Sequence, residues 1–230
     1  MDKVEKLKEL KSLLDGGFIT QEEANKIKAE ITGVQQTEQY KSVKIGNQVW
    51  MSENFDVDKF RNGDIIPQTQ LAEEWKKAGD EGSPACCYYN NDPASRKIYG
   101  KLYNWFAISD PRGLVPTGWH VPTDAEWTTL TTYLGGEDSA GGKLKEAGTT
   151  HWAIPNTGAT NETGFTGLPV GYSGFDGWLY YIGSFGFLWS STKSSSTDAW
   201  TRIMGCYNAN VDRRSYSLRC GFSVRCVRDA

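Results

Sequence analysis

From residue 163 onward the chain has no stretch with helical periodicity. Short aromatic runs alternate with glycines instead: GFTGLPVGY, GWLYYIGSFGFLWSST, AWTRIMGCY and GFSVRCVRD. Rings and β-branched residues suit a pleated, half-buried surface, and closely spaced glycines supply tight turns, so this part reads as antiparallel strands. The part ahead of it reads differently. VKIGNQVWM alternates around Gly46-Asn47, a hairpin signal. LAEEWKKAG predicts a short helix. In KIYGKLYNWFAI, Ile98, Leu102, Trp105 and Phe106 stand at helical spacing, with Gly100 as the weak point. Thr123-Asp124-Ala125-Glu126 forms a capping box that opens a helix with Trp127, Leu130 and Leu134 inside, stopped by Gly135-Gly136. Helices followed by a strand-rich half imply an α+β domain.

The N-terminus predicts a separate element. Val4, Leu7, Leu10, Leu13 and Leu14 recur at three- and four-residue steps, Asp15-Gly16-Gly17 is a stop, and Thr20 to Glu23 is a second capping box before Ala24, Ile27 and Ile31. The expected division is a helical hairpin over 1–32, a polar linker over 33–42 and a main domain over 43–230. Two short helices bury little alone, so their apolar stripe needs the main domain or another copy of itself.

Several functions are excluded or disfavoured by composition. A chain of 230 residues can bury a real core, but a net charge of −3 and a pI near 5.5 argue against sequence-independent nucleic-acid binding. No apolar run approaches a membrane span, and no GxxxxGK[ST] phosphate loop exists. The N-terminus is charged throughout and lacks a secretory pattern. The expectation is cytoplasmic synthesis, with virion association or export by another route left open. His120 and His151 leave little room for a His-built metal or catalytic site, and no cofactor is expected.

Two resemblances follow from longer stretches. LKELKSLLDGGFITQEEANKIKAEI resembles the SHOCT family, whose helical hairpin accompanies other domains and is thought to mediate oligomerisation. The main domain resembles the Fibrobacter succinogenes major paralogous domain. The matching residues are Ile45 to Met51 (IGNQVWM), Cys87 to Asp92 (CYYNND), Tyr99 to Trp105 (YGKLYNW), Pro116 to Thr123 (PTGWHVPT), Trp189 to Thr192 (WSST) and Gly221 to Asp229 (GFSVRCVRD). That resemblance implies a C-type-lectin-like fold, beside formylglycine-generating enzymes and the variable proteins of diversity-generating retroelements. Family members are linked to the cell surface or to phage and are inferred to bind ligands or receptors.

An enzyme of the formylglycine-generating type would need two cysteines a few residues apart on one strand. Cys220 and Cys226 instead straddle the closing Gly-Phe motif, and no other catalytic constellation is visible. The Glu-Pro-Asn, Gln-Pro-Asp and Trp-Asn-Asp triplets of calcium-dependent sugar binding are absent, so no metal site is expected. The expected function is therefore non-enzymatic binding of a protein or glycan receptor, with self-association through the hairpin. The alternatives are that enzyme type or a structural surface or virion component.

The binding surface is expected between 201 and 220. By alternation and family pattern, Trp200 and Met204 face the core, while Thr201, Ile203 and Gly205 point outward. Cys206, Tyr207, Asn208, Asn210, Asp212, Arg213, Arg214, Tyr216, Leu218 and Arg219 follow on a turn and returning strand. In retroelement-diversified relatives, variation falls on this strand pair at NNC codons, which cannot encode Lys, Glu, Gln, Met or Trp. Between 201 and 220 only Met204 belongs to that excluded set. Trp119, Trp127, Trp189, Trp200, Met204 and Phe222 are assigned to the scaffold. Cys87 and Cys226 lie in family-matched motifs, and the resemblance implies that they are neighbours and a candidate disulfide. Buried free thiols are nevertheless the default expectation for a leaderless chain.

Overall fold

The computed structural model describes residues 3–20, 23, 24, 27, 31 and 40–229. The chain divides into two compact units, Met1–Tyr40 and Lys41–Ala230. In the first, helix α1 (Lys3–Asp15) ends where Gly17 takes a φ of +71° and the Phe18 N–H returns to the Leu13 carbonyl at 2.9 Å. The capping box is present: Glu23 accepts from the Thr20 N–H at 2.8 Å, and the Glu23 N–H donates to Thr20 Oγ1 at 3.2 Å. Most of the expected second helix and of the linker lies outside the described residues.

The second unit is α+β. Strands β1 (Ser42–Ile45) and β2 (Gln48–Met51) form the expected hairpin, with Ile45 opposite Gln48 and Gly46 at a φ of +61°. Helix α2 (Ala72–Asp80) is the predicted LAEEWKKAG helix. Strand β3 (Cys86–Cys87), helix α3 (Pro93–Tyr99), strand β4 (Leu102–Asn104) and helix α4 (Trp105–Ile108) follow. The continuous helix expected over KIYGKLYNWFAI is thus broken in two around a strand. Gly100 is the cause: its φ of +73° and ψ of −158° end α3 in a conformation open to glycine, and an added Cβ would meet Asn54 at 3.3 Å.

Helix α5 (Asp124–Tyr133) starts at its predicted box, where Thr123 and Glu126 exchange bonds of 2.7 and 3.2 Å. Helix α6 (Glu137–Leu144) follows the Gly135-Gly136 stop and has no counterpart in the sequence reading. The remaining strands are β5 (Tyr172–Ser173), β6 (Leu179–Tyr180), β7 (Phe185–Lys193), β8 (Asp198–Gly205), β9 (Asp212–Ser217), β10 (Gly221–Phe222) and β11 (Val227–Asp229). They form three antiparallel sheets with orders β1-β2-β11, β3-β4-β10-β5-β6 and β7-β8-β9.

The main core lies where Trp50, Trp127 and Phe165 meet, with ring centroids 4.6 to 6.1 Å apart, among Leu130, Leu134, Leu144, Leu188 and Met204. A buried indole N–H needs an acceptor. Trp127 donates to the Trp189 carbonyl, Trp189 to that of Tyr103, Trp152 to that of Gly167 and Trp105 to that of Ser190, at 2.8 to 3.2 Å. These bonds tie α4 and α5 to β4 and β7.

All five cysteines are buried free thiols, which corrects the candidate Cys87–Cys226 disulfide. Cys87 sits in β3 and packs among Trp75, Ala85, Leu102 and Val170, whereas Cys226 precedes β11 in another sheet, its carbonyl accepting from Met51 N–H. Among the described residues no helix is long and apolar enough to cross a membrane.

Candidate functional site

Strand β8 is the middle strand of its sheet, and its two faces carry different chemistry. Trp200, Arg202 and Met204 face α5 and the core, as expected for Trp200 and Met204. The other face carries Thr201, Ile203 and Gly205, opposite Trp189, Phe187 and Phe185 of β7. These three were expected to point into solvent, but Thr201 is 0% exposed, Ile203 7%, and Gly205 is buried. The reason is a layer of rings over that face. The Phe187 ring lies 4.7 Å from Tyr172 and 5.2 Å from Phe222, which belong to the five-stranded sheet. Gly205 is covered by Phe185, whose ring an added Cβ would meet at 2.9 Å. Cys206 and Leu218 are buried as well.

The ring layer does not stop at the core. It continues from Phe222 and Tyr172 to Tyr180, Tyr181, Phe185, Tyr207 and Tyr216, with neighbouring centroids 4.7 to 6.3 Å apart. At its outer rim Tyr181 is 57% exposed and Tyr207 63% exposed. Tyr216 and Arg214 of β9 stand on the same face, opposite Ala199 and Thr201. Arg213 faces the other way, its guanidinium 3.3 Å over the Trp200 ring and bonded to Asp124 at 2.9 Å. It is therefore already engaged within the scaffold.

Three of the tyrosine hydroxyls, those of Tyr172, Tyr180 and Tyr216, are held neutral. Burial, helped by neighbouring Tyr216 and Cys220, pushes the Tyr172 hydroxyl up to about 12. Burial raises Tyr216 likewise, and the bond from the Tyr180 hydroxyl to Asp176 at 2.8 Å raises Tyr180. The face thus offers rigid aromatic area with hydroxyl rims and one exposed guanidinium, a mixture suited to recognition.

The turn joining β8 to β9 is fixed from below. The Gly142 N–H donates to the Ala209 carbonyl at 3.0 Å, Val211 N–H to that of Glu137 at 2.8 Å, and Thr157 N–H to that of Cys206 at 2.8 Å. Lys145 is 0% exposed, and its ammonium donates to the carbonyls of Thr157, Gly205 and Asn208 at 2.9, 2.9 and 2.7 Å. Three N–H groups meet three carbonyls, which is the full capacity of an ammonium. Burial lowers its pKa to about 8, which leaves the charged form in the majority at pH 7.

Gly141 makes the docking possible: an added Cβ would lie 2.1 Å from the Asn210 carbonyl oxygen. Gly141→Ala is therefore expected to cost about 2 kcal/mol by forcing the turn off α6, lowering Tm by roughly 5 °C. An unchanged melting curve would contradict this docking.

Of the residues predicted from sequence, the structure gathers Tyr207, Asp212, Arg214 and Tyr216 at this face and places exposed Asn208 and half-buried Asn210 on the clamped turn. Arg219 is apart, paired with Asp80 and over the Phe175 ring at 5.6 Å. Trp119 and Trp200 are half-buried, and the other scaffold residues, Trp127, Trp189, Met204 and Phe222, are buried. Sequence reasoning missed Tyr172, Tyr180, Tyr181 and Phe185, although the dense aromatic run GYSGFDGWLYYIGSFG held the signal. It also missed Lys145, Gly141 and Gly142, which carry no local signal.

Four of the five thiols are held in the protonated form by burial. Burial pushes Cys86 up to about 11 and Cys220 up to about 12, and raises Cys87 and Cys226 further, so the reactive thiolate is disfavoured at each. Among the described residues no group of His, Cys, Asp and Glu is arranged to hold a metal ion.

The family model described as the Fibrobacter succinogenes major domain matches residues 43–228. No curated protein matches the chain at a significant level.

Proposed function

The chain belongs to the Fibrobacter succinogenes major domain family, and we propose that it is a non-enzymatic binding protein that engages a protein or glycan receptor through the tyrosine face and the clamped β8–β9 turn. We read the α+β unit as the C-type-lectin-like scaffold that the resemblance implies. One observation carries the proposal: the ring layer emerges at Tyr181 and Tyr207 on backbone that is already immobilised. Binding to a rigid surface loses less conformational entropy than binding to a mobile one. The burial that holds Cys86, Cys87, Cys220 and Cys226 protonated favours this reading over a formylglycine-generating type of enzyme. The N-terminal hairpin serves as a self-association element that multiplies the site and raises avidity.

The test compares wild type with the combined variant Tyr181→Ala, Tyr207→Ala and Arg214→Ala on immobilised cell-surface protein and polysaccharide fractions. Binding is expected to weaken at least about tenfold, since aromatic and arginine anchors dominate interfaces, with Tm almost unmoved. Equal binding by both forms would sink the proposal.

We propose further that the face is the diversified surface of a retroelement variable protein. Burial sharpens this expectation. Population sequencing of the gene should find variation at Tyr207, Asn208, Asn210, Asp212, Arg214 and Tyr216, and constancy at Thr201, Ile203, Gly205, Cys206 and Leu218. A uniform 3′ end, or variation concentrated at the buried positions, counts against diversification and leaves the binding proposal standing.

A further inference from the structure

The molecule also has a cavity that shares no lining residue with the tyrosine face. It is a cleft of about 420 Å³ bordered by the segments around 52–56, 96–100, 146–151 and 166–168. That volume falls within the range of small-molecule sites. Its wall contains a carboxylate–imidazole pair: Glu146 holds His151 Nδ1 at 2.9 and 3.0 Å through its two oxygens, and the imidazole stands edge-on to the Tyr99 ring at 5.7 Å. Both side chains are mostly buried, at 18% and 24% exposure. A carboxylate on Nδ1 requires the proton there and leaves Nε2 for a ligand hydroxyl, as an acceptor in the imidazole and a donor in the imidazolium.

Of the charged groups that line the cleft, Glu53 pairs with Lys41 at 2.6 Å and the central ones pair with each other, which leaves exposed Lys97 at the rim. Arg96 donates to both oxygens of Asp56 at 3.0 Å and to Asp58 at 3.0 Å, and Glu146 is occupied by His151. An anionic ligand would find only exposed Lys97, a solvent-screened charge worth little, unless it drew Arg96 from two carboxylates, and a cationic one would have to displace His151, Arg96 or Lys41. Either exchange gives up charge-assisted bonds of the stronger kind. A hydroxyl group avoids both losses, because it donates to a carboxylate oxygen and accepts from a guanidinium N–H without breaking the pair. Ile98 and Leu168 add an apolar patch to the same lining, against which C–H groups can rest.

From this pairing we infer that the cleft is a binding site for a small, neutral, polyhydroxylated ligand, with His151 Nε2 and the outer atoms of the Arg96–Asp56 pair as its polar contacts. The site is separate from the tyrosine face and does not depend on the function proposed for it.

Saturation-transfer NMR on the full chain tests this with glucose, galactose, mannose, N-acetylglucosamine and myo-inositol as probes, each at about 10 mM, where even millimolar Kd values give occupancy. At least one of these neutral probes should bind. His151→Ala should weaken it about tenfold, the loss of one or two hydrogen bonds. Glu146→Gln, which keeps the size of the residue at 146, should weaken it less, and Tyr207→Ala should leave it unchanged. Variants with melting temperatures close to wild type are the ones compared. Absence of binding by all five probes overturns the inference. So does tighter binding of glucuronate, glucosamine or glycine than of the neutral probes, or an equal loss in Tyr207→Ala, which would move the site to the other face.

Discussion

Lys145→Met is expected to lower Tm by about 10 °C while leaving the fold recognisable. Methionine fills much the same space but donates nothing, so the carbonyls of Thr157, Gly205 and Asn208 lose their shared partner at once. An unsatisfied buried polar group costs roughly 1–3 kcal/mol, so three of them suggest about 3 kcal/mol or more in total. For a chain of this size each kcal/mol moves Tm by roughly 2–4 °C. The site of the damage is equally specific. Amide hydrogen exchange should accelerate at Gly142, Thr157 and Val211, whose N–H groups bond to the turn or belong to it. Exchange in the β1–β2 hairpin should stay close to wild type. Lys143→Met is the control, because half-buried Lys143 pairs with exposed Glu162, and such solvent-screened pairs contribute about 1 kcal/mol at most. If Lys145→Met melts within about 2 °C of wild type, the three carbonyls have found other partners and the ammonium does not hold the turn.

The sequence disclosed what local physics controls. Both capping boxes, the Gly46-Asn47 hairpin and the α2 helix are written within a few consecutive residues, and each is found where the pattern puts it. The inward set of β8 was legible by alternation together with the family pattern, but the burial of the other set was not, because alternation says which side chains share a face and not what covers it. Thr201, Ile203 and Gly205 are buried by rings from β5, β7, β9 and β10, and no local rule links residue 203 to Tyr172 or Phe222. The helix expected across Gly100 failed for a related reason. The apolar spacing of Ile98, Leu102 and Trp105 is compatible with a helix, but Leu102 to Asn104 pair with β3 and β10, which are distant in sequence. Lys145 was invisible because a lysine between Leu144 and Glu146 reads as surface, and its three acceptors arrive from a loop and a turn that the sheet topology brings together.

The same long-range logic governs Asp124, which the sequence presents only as the second residue of a capping box. Its carboxylate bonds Arg202 Nη1 at 2.8 Å and Arg213 Nε and Nη2 at 2.9 Å each, and its backbone carbonyl takes a further bond from Arg202 at 3.2 Å. Arg202 is 0% exposed, so this carboxylate is the counter-charge of a core arginine. Asp124→Asn should cost about 3 kcal/mol, because it leaves a buried guanidinium without a compensating charge. Arg213→Ala should cost about 1 kcal/mol or less, since Arg213 is 35% exposed and solvent screens its pairing. Replacing both core partners, as Asp124→Asn with Arg202→Met, should recover part of the loss, as apolar substitutes for buried ion pairs commonly do. The dependence on pH separates charge from packing. Burial alone would raise the pKa of Asp124, but hydrogen bonds from Arg213 and Arg202 outweigh it and hold the carboxyl below the usual value of 3.8. A carboxylate with a depressed folded-state pKa contributes stability that is present above its unfolded pKa and is lost as pH falls through the folded one. The gap in unfolding free energy between wild type and Asp124→Asn should therefore be constant from pH 7 to about pH 5 and narrow below about pH 4. Denaturant melts across that range measure it directly. A gap that stays constant down to the acid limit would mean that asparagine disturbs the packing at the start of α5 and that the charge on Asp124 contributes nothing.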